Sequence, residues 1–147
     1  MTRGEKAKEL FEQGYNCSQA VFLAFEDLTG IDRETAAKLS AGFGGGIGRL
    51  REVCGAVTGM TAVISYLTAS ADPNDKDAKA ALYSKIQQAA NEFKAENGSY
   101  ICRELLAGPS ADPHTPETRT PEYYKKRPCS ELCRCAAEIA EKYIGRD

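Results

Sequence analysis

The chain has 147 residues, with 19 Lys and Arg against 21 Asp and Glu for a net charge of −2; this describes one ordinary acidic domain and argues against a nucleic-acid binder. At 42% hydrophobic and 27% charged residues it is neither disordered nor wholly apolar, and it is long enough to enclose one core as a single domain over residues 1–147.

Nearly every segment reads as helix. The opening MTRGEKAKELFEQG spreads its charges and lacks the apolar stretch of a secretory signal, which predicts a cytoplasmic chain with reduced thiols. Thr2 with Glu5 matches a capping box, and Leu10 and Phe11 give a first helix its apolar side before Gly14 stops it. Asn16 with Gln19 repeats the cap and starts a second helix through Val21, Phe22, Phe25 and Leu28, ending at Gly30, with Cys17 in its first turn. Asp32 caps a short third helix through Ala36, Ala37 and Leu39. It runs into a stretch with five glycines in seven residues, 42–48, which excludes regular helix.

A central helix follows from about residue 50 to residue 68, with Cys54 near its start and Gly55 and Gly59 four apart on one face, open to close approach by another helix or a cofactor. Residues 53–71 carry no charged side chain and approach the length of a bilayer span. Five Ser and Thr residues and these two glycines make the stretch only weakly apolar, which predicts a buried core helix and no membrane span. Asp72, Pro73, Asn74 and Asp75 form a turn and cap. A long helix then runs to about Asn97 with Ala81, Leu82, Ile86, Ala89, Ala90 and Phe93 inward, and Gly98 ends it. Ser99 caps a helix over residues 100–107 that carries Cys102. Residues 108–122 hold four of the six prolines and read as an irregular arm. A last helix begins at Cys129 or Ser130 and runs to about Ile144. Nothing alternates with period two long enough to demand a sheet, so the predicted fold class is all-α: a single-domain bundle of about six to seven helices with a Gly-rich loop and a Pro-rich arm.

The chain has six cysteines, about 4% of its residues and well below the roughly 8% of a disulfide scaffold. Cys17, Cys102 and Cys129 each follow a cap or a proline at a predicted helix start, where free N–H groups and the helix dipole favour thiolate. No Cys-x-x-Cys pair and no Cys-x-x-Cys-His haem attachment occurs, so any thiol site is assembled from distant segments, as a bundle does by pointing helix ends at one place. Cys129 and Cys133 are one turn apart and can face one volume, whereas Cys135 points away. The glycine stretch fits neither G-x-G-x-x-G nor a P-loop; it is either a cradle bringing backbone N–H groups to an anion or thiolate near Cys54, or a plain connection. His114, the sole histidine, reads as a surface residue, and Tyr123, Tyr124, Lys125, Lys126 and Arg127 as a solvated or arm-packing cluster.

With Cys17 in GYNCSQAV, Cys54 in CGAVTG after FGGGIG, Cys102 in ICRELL and Cys129 before the last helix, nearly the whole chain closely resembles the C-GCAxxG-C-C family of redox-active proteins. The residue before Cys54 is Val53, where the family string has glycine. The resemblance implies a small helical redox protein whose family cysteines are Cys17, Cys54, Cys102 and Cys129, with Cys133 and Cys135 outside the pattern. The family also looks like the part of split-Soret cytochromes outside their haem motifs, which implies electron transfer and an iron-sulfur centre; haem is not expected, because the Cys-x-x-Cys-His string is absent.

Three cofactor states follow. A 2Fe-2S iron-sulfur cluster takes four thiolates, here Cys17, Cys54, Cys102 and Cys129, with Gly55 and Gly59 admitting backbone N–H groups near the sulfurs. Alternatively, two of these cysteines cycle between dithiol and disulfide with no cofactor. Structural zinc would take the same four thiolates without redox activity. The redox partner, and the homodimer that exposed helix faces would permit, stay open.

Overall fold

In the computed structural model the described residues are 1–106, 119 and 128–145. Except for Arg119, the proline arm with His114, and the cluster at 123–127, lie outside them.

Local caps set most boundaries. Helix α1 (Arg3–Glu12) starts at the expected capping box: the Glu5 N–H donates to Thr2 Oγ1 at 3.0 Å and the Thr2 N–H to Glu5 Oε2 at 2.9 Å. Asn16 and Gln19 exchange the same two bonds, both 3.0 Å, at the head of α2 (Cys17–Leu23).

The second helix does not run on to Gly30 as the periodicity predicts. It breaks at Ala24 and Phe25, and a separate turn, α3 (Glu26–Thr29), follows. A distant side chain stabilises the break, because the Arg3 guanidinium donates to the freed Ala24 carbonyl at 2.9 Å, lies 5.0 Å over the Phe25 ring and pairs with Asp27. Helix α4 (Arg33–Ala41) is capped by Asp32. Its buried contacts come from Ala36 and Ser40, and Leu39, expected on the apolar side, is 61% exposed beside them.

The central helix starts later than predicted. Helix α5 spans Gly55–Thr68 with Cys54 at its N-cap. Residues 51–54 are instead held against residues 100–103: the Cys54 N–H donates to the Tyr100 carbonyl at 2.8 Å, the Cys102 N–H to that of Glu52 at 2.6 Å, and Val53 bridges Ile101 in antiparallel register. Among the described residues this isolated bridge is the only β pairing, and the fold is all-α. Helix α6 (Lys76–Asn97) runs from the Asp75 cap to Gly98, which adopts a left-handed conformation. At about 33 Å it outruns the roughly 21 Å of α5. Hence only Ala89 and Phe93 of its expected inward set are fully buried, Leu82, Ile86 and Ala90 are partly buried, and Ala81 is exposed.

Helix α7 shrinks to Cys102–Leu105, since Ser99 spends its oxygen on the Ile101 N–H and its hydroxyl proton on Glu104. Helix α8 (Cys129–Ile144) has the expected bounds. It packs against α1, α2, α5 and α6, with Leu132, Cys133, Ala136, Ala137, Ile139 and Ala140 buried against Val57, Met60, Val63 and Ile64 of α5 and the apolar run 20–25. Helix α5 is thus a buried core element of 14 residues, and among the described residues no helix is long and apolar enough to cross a membrane.

Candidate functional site

The heads of α2, α5, α7 and α8 meet at one cavity of about 280 Å³, and Cys17, Cys54, Cys102 and Cys129 all line it. Cys17, Cys102 and Cys129 are the first residues of their helices and Cys54 is the cap of its own. The short ribbon between residues 51–54 and 100–103 sets Cys54 beside Cys102, and the packing of α8 on α2 brings the Cys129 thiol next to that of Cys17. Cys54, Cys102 and Cys129 are buried; Cys17 is partly buried as a residue, although its thiol is packed among other thiols. Among the described residues no three His, Cys, Asp or Glu side chains are grouped as ligands of a single metal ion.

The glycine stretch forms another wall. Gly45, Gly46, Ile47, Gly48 and Arg49 have φ of 67, 72, 67, 54 and 67°, and Arg51 has 61°. Left-handed backbone costs a non-glycine residue roughly 1–2 kcal/mol, so this turn carries strain next to the cavity. Gly46 needs to be glycine twice over: its φ is positive, and a Cβ there would lie 2.7 Å from the Cys102 Cβ and from the Glu52 nitrogen. The turn presents Arg49 and Arg51 to the cavity, and Arg119 joins them. Arg51 Nη1 lies 3.6 Å from Cys102 Sγ. The Arg119 guanidinium stacks 4.1 Å over Phe11 and donates to the carbonyls of Phe11 and, at 2.8 Å, Tyr15. No carboxylate is among the lining side chains of the described residues. Sequence reasoning missed these arginines; Arg49 and Arg51 flank a glycine turn and were readable as counter-charge, but nothing local marks Arg119.

Helix starts were expected to favour thiolates at Cys17, Cys102 and Cys129, and at Cys17 the balance goes the other way. Burial pushes the Cys54 thiol up to about 12, even though the Ala56 and Val57 N–H groups stabilise its anion, with Cys102 and Cys129 adding repulsion. At Cys17 the hydrogen bond from Cys129 lowers the pKa, but the contact with Cys133, burial, and the neighbouring Cys133 and Cys54 together raise it well above the ordinary thiol value. At Cys54 the N–H groups of the helix head are outweighed by desolvation.

Gly55 lines the cavity. Gly59, one turn on, faces α2, and a Cβ there would lie 2.8 Å from the Ser18 carbonyl oxygen and 3.0 Å from Val21 Cβ. Cys133 packs behind Cys17, its Sγ 3.8 Å from the Cys17 carbonyl oxygen. Cys135 points away to Glu96 and Asn97, at 2.8 and 3.4 Å.

Fold and site together define an all-α protein that gathers four cysteines from separated helix starts around one arginine-flanked cavity. Residues 15–143 match the family described as "Putative redox-active protein (C_GCAxxG_C_C)", and the chain belongs to that family. An uncharacterized protein of Archaeoglobus fulgidus is 29% identical over 150 residues, which cover 95% of this chain and 93% of that protein. No solved structure matches the chain.

Proposed function

We propose that this protein transfers electrons through a 2Fe-2S iron-sulfur cluster held by Cys17, Cys54, Cys102 and Cys129. The observation that carries the reading is the ring of these four thiols around a single cavity of about 280 Å³. The donor set fits: a two-iron centre draws two thiolates to each metal, and so suits thiols spread around a cavity better than a single ion does. Such a cluster, when bound, takes up and releases single electrons.

The chain's own residues prepare the site for that charge. Arg49, Arg51 and Arg119 set positive charge against four thiolate anions, and the Ala56 and Val57 N–H groups face the Cys54 sulfur. Burial of Cys54, Cys102 and Cys129 keeps water from the sulfurs. Their protons leave on metal binding, so loading strengthens as pH rises.

Anaerobic purification followed by a visible spectrum, with iron, acid-labile sulfide, zinc and free thiols measured on one sample, tests this. The expected result is colour with about two irons and two sulfides per chain, lost on changing any of the four cysteines to Ser. Zinc in their place, or no metal, overturns it. A second reading is favoured by the adjacency of the Cys17 and Cys129 thiols at the cavity wall, which sets two family thiols side by side for dithiol–disulfide cycling. It predicts colourless protein whose thiols disappear reversibly on oxidation and depend on two cysteines rather than four.

A further inference from the structure

Cys133 is the fifth cysteine to reach this place and lies outside the family pattern. It sits one turn after Cys129 on α8, is 0% exposed, and is absent from the cavity wall. Its sulfur lies 3.8 Å from the Cys17 carbonyl oxygen, to which it donates, and its thiol adjoins that of Cys17. Cys17 therefore stands between the cavity and a buried thiol, with one side open to small molecules and the other against Cys133.

We infer that Cys133 is the resolving thiol for Cys17, and that the Cys17–Cys133 disulfide withdraws Cys17 from the cavity and so gates cluster loading. This rests on the proposed ligand set only in taking Cys17 as one of the four. The co-reactant is a low-molecular-weight disulfide. The Cys17 sulfur attacks it, the S–S bond breaks, and one thiol leaves with the proton that Cys17 gave up. The Cys133 sulfur then attacks the Cys17 sulfur of the mixed disulfide, and the second small thiol leaves with the Cys133 proton. Two protein thiols are oxidised and one small disulfide is reduced to two thiols. Cys129 also touches Cys17 but lines the cavity beside it, as a member of the proposed ligand set rather than a thiol held behind Cys17. Cys133 is shielded from the reagent and can meet it only through Cys17.

The test treats full-length, reduced, metal-free protein with oxidised glutathione under anaerobic conditions, alkylates the remaining thiols and maps the cross-links by mass spectrometry. We expect a Cys17–Cys133 cross-link, and in Cys133→Ala a stable glutathione adduct on Cys17. A Cys17–Cys129 cross-link, or an adduct on Cys17 without a cross-link in the unaltered chain, overturns the pairing; the map needs no variant, so it stands even if Cys133→Ala fails to fold. The oxidised protein is then offered iron and sulfide before and after dithiothreitol. Loading only after reduction supports the gate, and equal loading refutes it. If the never-oxidised protein takes up no cluster either, the electron-transfer reading and the gate fail, while the Cys17–Cys133 pairing is judged by the map alone.

Discussion

Gly55 and Gly59 sit one turn apart on the same helix, and replacing each with Ala separates close packing from helix propensity. At Gly59 the added methyl meets backbone: its carbon would be 2.8 Å from the Ser18 carbonyl oxygen and 3.0 Å from Val21 Cβ. Overpacking a core costs about 1–3 kcal/mol, and a fixed carbonyl at that distance belongs in the upper half of the range. Ala returns about 1 kcal/mol of helix propensity in a helix interior, which leaves a net loss of about 1–2 kcal/mol. In a chain of this size each kcal/mol lowers Tm by roughly 2–4 °C. At Gly55 the nearest atoms, Cys17 Cβ among them, are 3.2 Å away and need give only slightly, so the net change is within about 1 kcal/mol of zero. Urea unfolding of the reduced, metal-free variants gives both midpoints and m-values. A Gly59→Ala protein as stable as Gly55→Ala, or more so, would refute the claim that the approach of α2 is what requires glycine at position 59. Because Ser18 follows Cys17 directly, the same displacement moves a cavity thiol.

Other perturbations probe separate parts of the argument. In the reduced, metal-free protein the Cys54 thiol is raised from 9.0 to about 12, so the neutral thiol is the form that folding favours. Stability is then full below about pH 9 and falls as pH rises toward 12, by about 1.4 kcal/mol per pH unit for one buried thiol; Cys17 and Cys133 are shifted the same way. Urea midpoints that stay flat up to about pH 11 would contradict it. Arg3→Ala leaves the buried Ala24 carbonyl without its donor and should cost about 1–3 kcal/mol, and a loss below about 0.5 kcal/mol by the same assay would mean the break after α2 does not depend on Arg3. Arg51→Gln removes the cation 3.6 Å from Cys102 Sγ, so the reduction potential of a centre held there should fall in an anaerobic redox titration; an unchanged or higher potential counts against that role.

What was legible in the sequence was local. Thr2, Asn16, Asp32, Asp75 and Gly98 each act within a turn of themselves, and each marks the boundary it marks in the fold. The misread boundaries depend on distant partners: the break at Ala24 answers to Arg3, and the late start of α5 answers to the pairing of residues 51–54 with residues 100–103. Nothing in the letters Ile47, Arg49 and Arg51 announces left-handed backbone, which non-glycine residues adopt only when surroundings impose it. The four separated cysteines were visible through their family pattern. The contact of Cys133 with Cys17 followed in part from helical period, since the period places Cys133 under Cys129 but does not say which helix lies opposite.

The balance of forces on these thiols bears on which chemistry suits the cavity. A nucleophilic cysteine needs its thiolate at working pH, and helix heads ordinarily supply it. Here the cysteines stand at helix heads, yet burial outweighs the Ala56 and Val57 N–H groups at Cys54, and at Cys17 the Cys133 contact with burial outweighs the lowering from Cys129. Turnover through free thiolates would be slow near neutral pH. A metal centre removes that obstacle, because coordination displaces the thiol proton outright, and the arginines lining the cavity then face anions rather than neutral thiols. The same desolvation that suppresses the nucleophile therefore preserves reduced thiols for a ligand.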